Sequence, residues 1–89
     1  MSILAQPTDT RVADVEVTDT ELVVRLMDGR TISVPLAWFP RLEAGSVTAR
    51  QRVEIAGAGY GLHWPELDED LSVEGLLRGA REVNAEAAE

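Results

Sequence analysis

The stretch ELVVRLMDGRTISVPL, residues 21–36, contains two runs of alternating apolar and polar residues joined by an aspartate–glycine pair. Apolar residues occupy every second position from 22 to 26 and again from 32 to 36. This period of two is typical of strands that bury one face. Asp28–Gly29 favours a type I′ turn, which needs positive φ at both central residues. The stretch therefore predicts an antiparallel hairpin.

The same alternation precedes the hairpin, from Arg11 to Thr18, and Asp19–Thr20 interrupts it. Residues 11–36 are therefore predicted to form a three-stranded antiparallel meander. Pro35 has no N–H to donate, so it should lie at a strand end or on an edge.

Residues 37–64 contain shorter elements. AWFPRLEAG predicts a short helix that ends at Gly45 and covers the meander with Trp38, Phe39 and Leu42. A further turn through TARQR is expected to be capped by Ser46 or Thr48. VEIA and YGLHW are predicted to be two strands joined by GAG at 57–59.

The segment PELDEDLS, residues 65–72, is predicted to be a joint between the last strand and a helix. Pro65 ends the strand, Leu67 and Leu71 contact the core, and the acids between them face water. Ser72 caps the helix, whose core face is formed by Val73, Leu76 and Leu77. The helix either stops at Gly79 or continues through residues 80–83.

These elements predict an α+β fold, in which a small antiparallel sheet, made of the meander and the later hairpin, packs against one or two short helices. The predicted organisation is a flexible arm over residues 1–10 and a single domain over 11–80. Residues 81–89 are predicted to form a helical or frayed tail.

Composition limits the classes of function. The 89 residues include sixteen acids, eight arginines, no lysine and no cysteine, for a net charge of −8. This balance disfavours direct nucleic-acid binding, because phosphates repel an acidic surface. Disulfides and thiolate chemistry are excluded. Without a signal-peptide pattern or a long apolar run, we expect a cytoplasmic protein that does not enter a membrane.

His63 is the chain's one histidine and the first residue to consider for catalysis. A metal site requires several convergent ligands, and a general base requires an orienting carboxylate and a nucleophile. In the predicted strand, Leu62 and Trp64 point away from the face of His63. No serine lies in a nucleophile elbow. We therefore expect no catalytic residue, no metal and no cofactor.

Four acids, Glu66, Asp68, Glu69 and Asp70, form an acidic segment (residues 66–70). DEDLSVEG begins but does not complete the spacing of a calcium-binding EF-hand loop. Negative charge is also favoured just before a helix N-terminus, which accounts for these acids without a ligand. GAGYG lacks the lysine and the serine or threonine of a phosphate-binding loop.

Two motifs, ELVVRLMDGRTISVPLAWFPRL and GAGYGLHWPELDEDLSVEGLLRG, together resemble the small bacterial domain-of-unknown-function family 2442. The resemblance covers about residues 11–79. It implies a compact α+β domain, in a family sometimes fused to a helix-turn-helix, and an antitoxin-like partner role with no established catalytic activity. No helix-turn-helix pattern follows Gly79, which weighs against DNA binding.

The leading hypothesis is a non-enzymatic acidic domain that binds a protein partner in an antitoxin-like or regulatory role. A basic partner is expected from the charge. The alternatives are a homo-oligomeric module, such as a homodimer, and a phage-type inhibitor of a host defence complex. A small hydrolase or metal-dependent enzyme using His63 and Asp68 or Asp70 is the least favoured hypothesis. The residues predicted to contact the partner are Glu66, Asp68, Glu69, Asp70, Trp38 and Arg41.

Overall fold

Two antiparallel sheets of three strands each form the framework of the chain, and the computed structural model describes residues 8–79. Short helices follow each sheet. The strands are β1 Val12–Val17, β2 Glu21–Leu26, β3 Thr31–Pro35, β4 Glu54–Ala56, β5 Gly61–Trp64 and β6 Glu69–Ser72, and the α-helices are α1 Pro40–Ala44, α2 Val47–Gln51 and α3 Val73–Leu77. The predicted α+β class is confirmed.

The first sheet is the predicted meander, in the order β1-β2-β3. Leu22 of β2 pairs with Val17 on one side and with Val34 on the other, and all three are buried. The alternation in the sequence therefore fixes this register, because a slip of one residue would expose the apolar face. The ladder shifts between Val12 and Asp14, so that Ala13 forms a β-bulge.

The turn between β2 and β3 differs from the predicted type I′ turn. Gly29 has φ of 97°, whereas Asp28 lies outside the left-handed region. Gly29 N–H donates to the carbonyl of Leu26 at 3.0 Å, and Leu26 N–H donates to the carbonyl of Arg30 at 2.8 Å. This is a three-residue loop with glycine in the left-handed position, so the prediction of two positive-φ residues is wrong. Only the glycine avoids the steric cost of that conformation.

The segment after the meander forms as predicted. Pro35 is the last residue of the edge strand β3, and a 3₁₀ turn over Leu36–Trp38 follows it. Pro40 begins α1, where its missing N–H costs nothing. Ser46 caps α2 by accepting the N–H of Ala49 at 3.1 Å. Of the two predicted caps, the structure therefore selects Ser46.

The second sheet contains a strand that the sequence does not predict. β4 and β5 form the predicted hairpin through a turn at Gly57–Gly59, whose three residues all have positive φ. Residues 69–72, expected to belong to a joint, form β6 and pair with β5 in the register Leu62↔Leu71 and Trp64↔Glu69. The prediction that the last strand ends the sheet at Trp64 is therefore wrong. Pro65 does end β5, as expected.

One hydrophobic core joins both sheets with α1 and α3. Its buried members are Val12, Val17, Leu22, Val24, Leu26, Val34, Leu36, Phe39, Leu42, Leu62, Trp64, Val73 and Leu76. Trp38, Leu67 and Leu71 are partly buried against this core. The predicted core face of α3 is correct for Val73 and Leu76 but wrong for Leu77, which is 41% exposed. Leu77 is the last residue of α3 and lines a surface hollow with Tyr60 and Glu74.

The predicted arm and tail lie largely outside the described residues. Residues 1–7 and 80–89 are not described, so the flexible arm, the helical or frayed tail and the helix continuation through 80–83 remain predictions. Asp9 belongs to the predicted arm and contacts the turn after β2. Its N–H donates to Asp28 Oδ2 at 3.0 Å, and its carbonyl accepts the N–H of Asp28 at 3.2 Å.

Asp28 joins the first described residues to the β2–β3 turn. Its side chain is 10% exposed and accepts hydrogen bonds from the Arg30 guanidinium, from the Arg30 N–H and from the Asp9 N–H. The hydrogen bonds from the Arg30 side chain, with the backbone N–H of Asp9 next in importance, lower the pKa of Asp28 to about 2. Each of these bonds favours the ionised carboxyl.

Acidification should therefore destabilise the fold through Asp28. Because the folded state holds this pKa below its usual value, the unfolded state binds more protons below about pH 4, and stability falls as the pH approaches about 2. Asp28→Asn should be less stable at neutral pH and should lose less stability in acid. Urea midpoints measured by tryptophan fluorescence across this range test the prediction. Asp19→Asn, which changes an exposed carboxyl, is the control and should retain the parent slope.

Candidate functional site

The acidic segment lies in the loop between β5 and β6 and continues into β6. Leu67 N–H donates to the carbonyl of Trp64 at 3.2 Å, which closes the turn after Pro65. Asp68 then adopts φ of 52° before β6 begins. An aspartate tolerates this left-handed conformation better than most residues do. The loop therefore presents Glu66 and Asp68 outward on either side of the partly buried Leu67.

Glu69 is in the interior and not at the surface. It is 3% exposed, pairs with Trp64 across the ladder, and its Oε1 accepts the N–H of Asp70 at 3.2 Å. The prediction that all the acids of this segment face water is therefore wrong for Glu69. Successive residues of a strand point to opposite faces, so Glu69 shares the core face of Trp64 while Asp70 faces outward.

The three exposed acids of the segment each contact a basic side chain of the same chain. Glu66 Oε2 accepts a hydrogen bond from Arg52 Nη1 at 2.6 Å. Asp68 Oδ2 lies 3.9 Å from Arg41 Nη1. The same Arg41 nitrogen donates a hydrogen bond to the backbone carbonyl of Asp68 at 2.6 Å. Such exposed pairs are each worth less than about 1 kcal/mol. The structure thus brings together Arg41 and Asp68, both predicted to contact a partner, and adds Arg52.

Asp70 contacts His63 on the outer face of the second sheet. The distance from His63 Nδ1 to Asp70 Oδ1 is 2.7 Å, and Glu54 stands directly opposite His63 on the other neighbouring strand. The predicted orientation of His63, away from the buried Leu62 and Trp64, is confirmed. Across residues 8–79, no group of three or more histidine, cysteine, aspartate or glutamate side chains is placed to bind a metal ion.

Trp38, unlike the exposed acids of the acidic segment, contributes to the hydrophobic core. It is half-buried at the end of the 3₁₀ turn and packs against the core, so only part of its surface is available to a partner. Arg41 follows in α1 and is exposed. The predicted contact residues thus include one interior carboxylate, one half-buried aromatic residue and four exposed charged residues.

Arg50 has a structural role that the sequence does not predict. Its guanidinium Nη1 lies within hydrogen-bonding distance of the carbonyls of Glu43 and Gly45, at 3.1 and 3.0 Å, which form the C-terminal end of α1. Its own carbonyl accepts the indole N–H of Trp64 at 2.9 Å. An arginine six residues after the end of a helix has no local sequence signature, and the contact depends on how α1 and α2 fold back on each other.

The sequence matches a known protein family. The sequence model of DUF2442, described as a protein of unknown function, matches residues 12–82. The chain belongs to the DUF2442 family. The match covers both sheets and all three α-helices, so the resemblance inferred from the two motifs is confirmed.

Two solved structures resemble this DUF2442 chain. A protein of unknown function from Rhodospirillum rubrum is 36% identical, with a TM-score of 0.75 over 88% of this chain and 96% of the other. An uncharacterized protein from Chromobacterium violaceum is 22% identical, with a TM-score of 0.72 over 88% of this chain and 73% of the other. The second likeness concerns the fold alone. No curated protein matches the sequence.

The helices of this DUF2442 chain are short. Among residues 8–79, none is long and apolar enough to cross a membrane.

The two arginines that follow α1 should differ in their effect on stability. Arg50→Gln removes charged hydrogen bonds to helix-end carbonyls and should lower the free energy of unfolding by about 1–3 kcal/mol. Arg52→Gln removes only the exposed pair with Glu66 and should cost less than about 1 kcal/mol. Urea denaturation of both variants tests the difference. Equal losses would show that the Arg50 contacts do not hold the end of α1.

Proposed function

We propose that this chain is a non-enzymatic interaction domain that binds a protein partner with a basic surface, in an antitoxin-like or regulatory role in the bacterial cytoplasm. The proposal concerns the outward-facing acids, including Glu66, Asp68 and Asp70 of the acidic segment. A phage-type inhibitor of a host defence complex would work through the same surface chemistry and is a variant of this proposal.

The proposal is supported mainly by one observation, which is that the described arginines already have binding partners within the chain. Each of the seven arginines within residues 8–79 already contacts a carboxylate or backbone carbonyls of its own chain. They are Arg11, Arg25, Arg30, Arg41, Arg50, Arg52 and Arg78. A ligand with negative charge, such as a nucleic acid, would have to compete with these partners and with the net charge of −8.

Several acids, in contrast, are available to a partner. Asp19, Glu21, Glu43 and Glu54 are exposed, and their side chains form no ion pair among the described residues. Glu66, Asp68 and Asp70 of the acidic segment take part only in exposed pairs, which exchange readily with solvent and with other charges. The surface therefore favours a basic protein, and electrostatic attraction would speed the encounter.

Co-purification from the native host at low and at high salt tests the proposal. We expect a basic protein that is retained at low salt and released at high salt, because screening weakens contacts between exposed charges. The combined variant Glu66→Gln, Asp68→Asn and Asp70→Asn should reduce retention by about tenfold.

A matched control removes the same number of charges elsewhere. The combined variant Asp19→Asn, Glu21→Gln and Glu43→Gln should retain the partner far better than the first variant does. Recovery of no basic partner at any salt concentration would contradict the proposed function. Equal losses in both variants would show that the whole acidic surface, and not the acidic segment, holds the partner.

A further inference from the structure

A groove on the protein surface lies beside the acidic segment. It consists of two adjoining hollows of about 480 and 380 Å³ that share Tyr60 and Ser72. Their size is within the range of ligand-binding clefts. We call it the Tyr60 groove and define it by Tyr60, Gly61, Asp70, Ser72, Glu74 and Leu77.

The Tyr60 groove exposes apolar side chains that a small domain would ordinarily cover. Tyr60 is 52% exposed and Leu77 is 41% exposed, and both line the groove. Aromatic side chains in such positions contribute large contact areas at protein interfaces, and the tyrosine ring also attracts cations. Leu71 of β6 also lines the first hollow, where its carbonyl oxygen lies beside Gly61, while its side chain packs against the core. The groove is therefore apolar over most of its surface.

Gly61 keeps the groove open without being required by the fold. Its φ is not positive, and a Cβ atom there would come no closer than 3.4 Å to another heavy atom, the carbonyl oxygen of Leu71. Ala56 and Ser72 flank it on the neighbouring strands, so the floor of the hollow carries only small side chains. A larger residue at position 61 would fit the strand and fill the groove.

The charges around the groove select its occupant. The charged residues that line it, Asp70 and Glu74, are both acidic, and the nearby Arg11, beside Gly59, is already paired with Asp9. Their partners, His63 and Arg78, sit in exposed pairs that a cation from another molecule can replace. A second copy of this chain, a nucleic acid and an anionic membrane all carry net negative charge and would be repelled.

We propose that the Tyr60 groove binds a segment of a protein partner in which basic and apolar side chains alternate. An apolar side chain of that segment lies over Gly61 against Tyr60, and its neighbouring cationic groups contact Asp70 and Glu74. This inference rests on the proposed function, and it specifies the surface and the chemistry of the partner.

A peptide that alternates arginine and leucine is the probe for this proposal. Titrated into the ¹⁵N-labelled chain, it should shift the amide signals of Tyr60, Gly61, Ser72 and Leu77 more than those of the first sheet. A peptide alternating glutamate and leucine should not bind. A peptide alternating arginine and glycine should bind at least about tenfold more weakly, because it lacks the apolar contacts. Largest shifts outside the groove would overturn the proposal.

Gly61→Val separates loss of binding from loss of folding. A β-branched residue favours the strand, so the thermal midpoint should equal or exceed that of the parent. Binding of the arginine–leucine peptide should weaken by at least about tenfold, since the side chain fills the groove. Ser33→Val adds the same side chain to an exposed position of β3 and should leave binding unchanged. Parent-like binding by Gly61→Val would overturn the proposal.

The native partner distinguishes this inference from the proposed function. If a basic partner co-purifies with the parent and equally with Gly61→Val, the protein-binding role stands and the groove assignment fails. If the basic partner co-purifies with the parent and with Ser33→Val but not with Gly61→Val, the groove is its binding site. If no basic partner co-purifies with the parent, the proposed function itself fails, and with it this groove's assigned role.

Discussion

The hydrogen bond from the Trp64 indole to the carbonyl of Arg50 is the contact on which the rest of the structure depends. Trp64 is fully buried, and a buried indole N–H needs an acceptor. The acceptor lies in α2, so the tryptophan of the second sheet fixes the position of that helix. Arg50 then extends the connection, because its guanidinium binds the last carbonyls of α1. Two side chains, those of Trp64 and Arg50, thus connect the second sheet to both helices after the meander.

This connection matters because each element is too short to be stable alone. The α-helices each have five residues, and the strands of the second sheet have three or four. Isolated helices of this length do not form in water, and a short hairpin is marginal. The shared core and the caps supplied by Ser46 and Ser72 therefore hold elements that have little intrinsic stability. The exposed ion pairs add little to this, and their main effect is on the charge presented to other molecules.

The sequence predicts the elements whose signals are local. Alternation predicted the meander, Pro35 marked its edge, and Ser72 predicted the start of α3. β6 was missed because Glu69 and Asp70 disfavour a strand by composition, and only pairing with β5 imposes one. The same pairing turns Glu69 into the interior. The link between Arg50 and Trp64, fourteen positions apart, and the open floor at Gly61 likewise arise only when the chain is folded.

The two edges of the first sheet bear on how the protein behaves at high concentration. β1 contains the bulge at Ala13 and the exposed acids Asp14 and Glu16, while β3 ends in Pro35. Bulges, charges and prolines all prevent another strand from docking on an edge. The longest strands of the fold are therefore poor templates for the stacking that leads to amyloid. The first sheet is therefore protected from pairing edge to edge with another copy, which leaves its side-chain surfaces as its route to association.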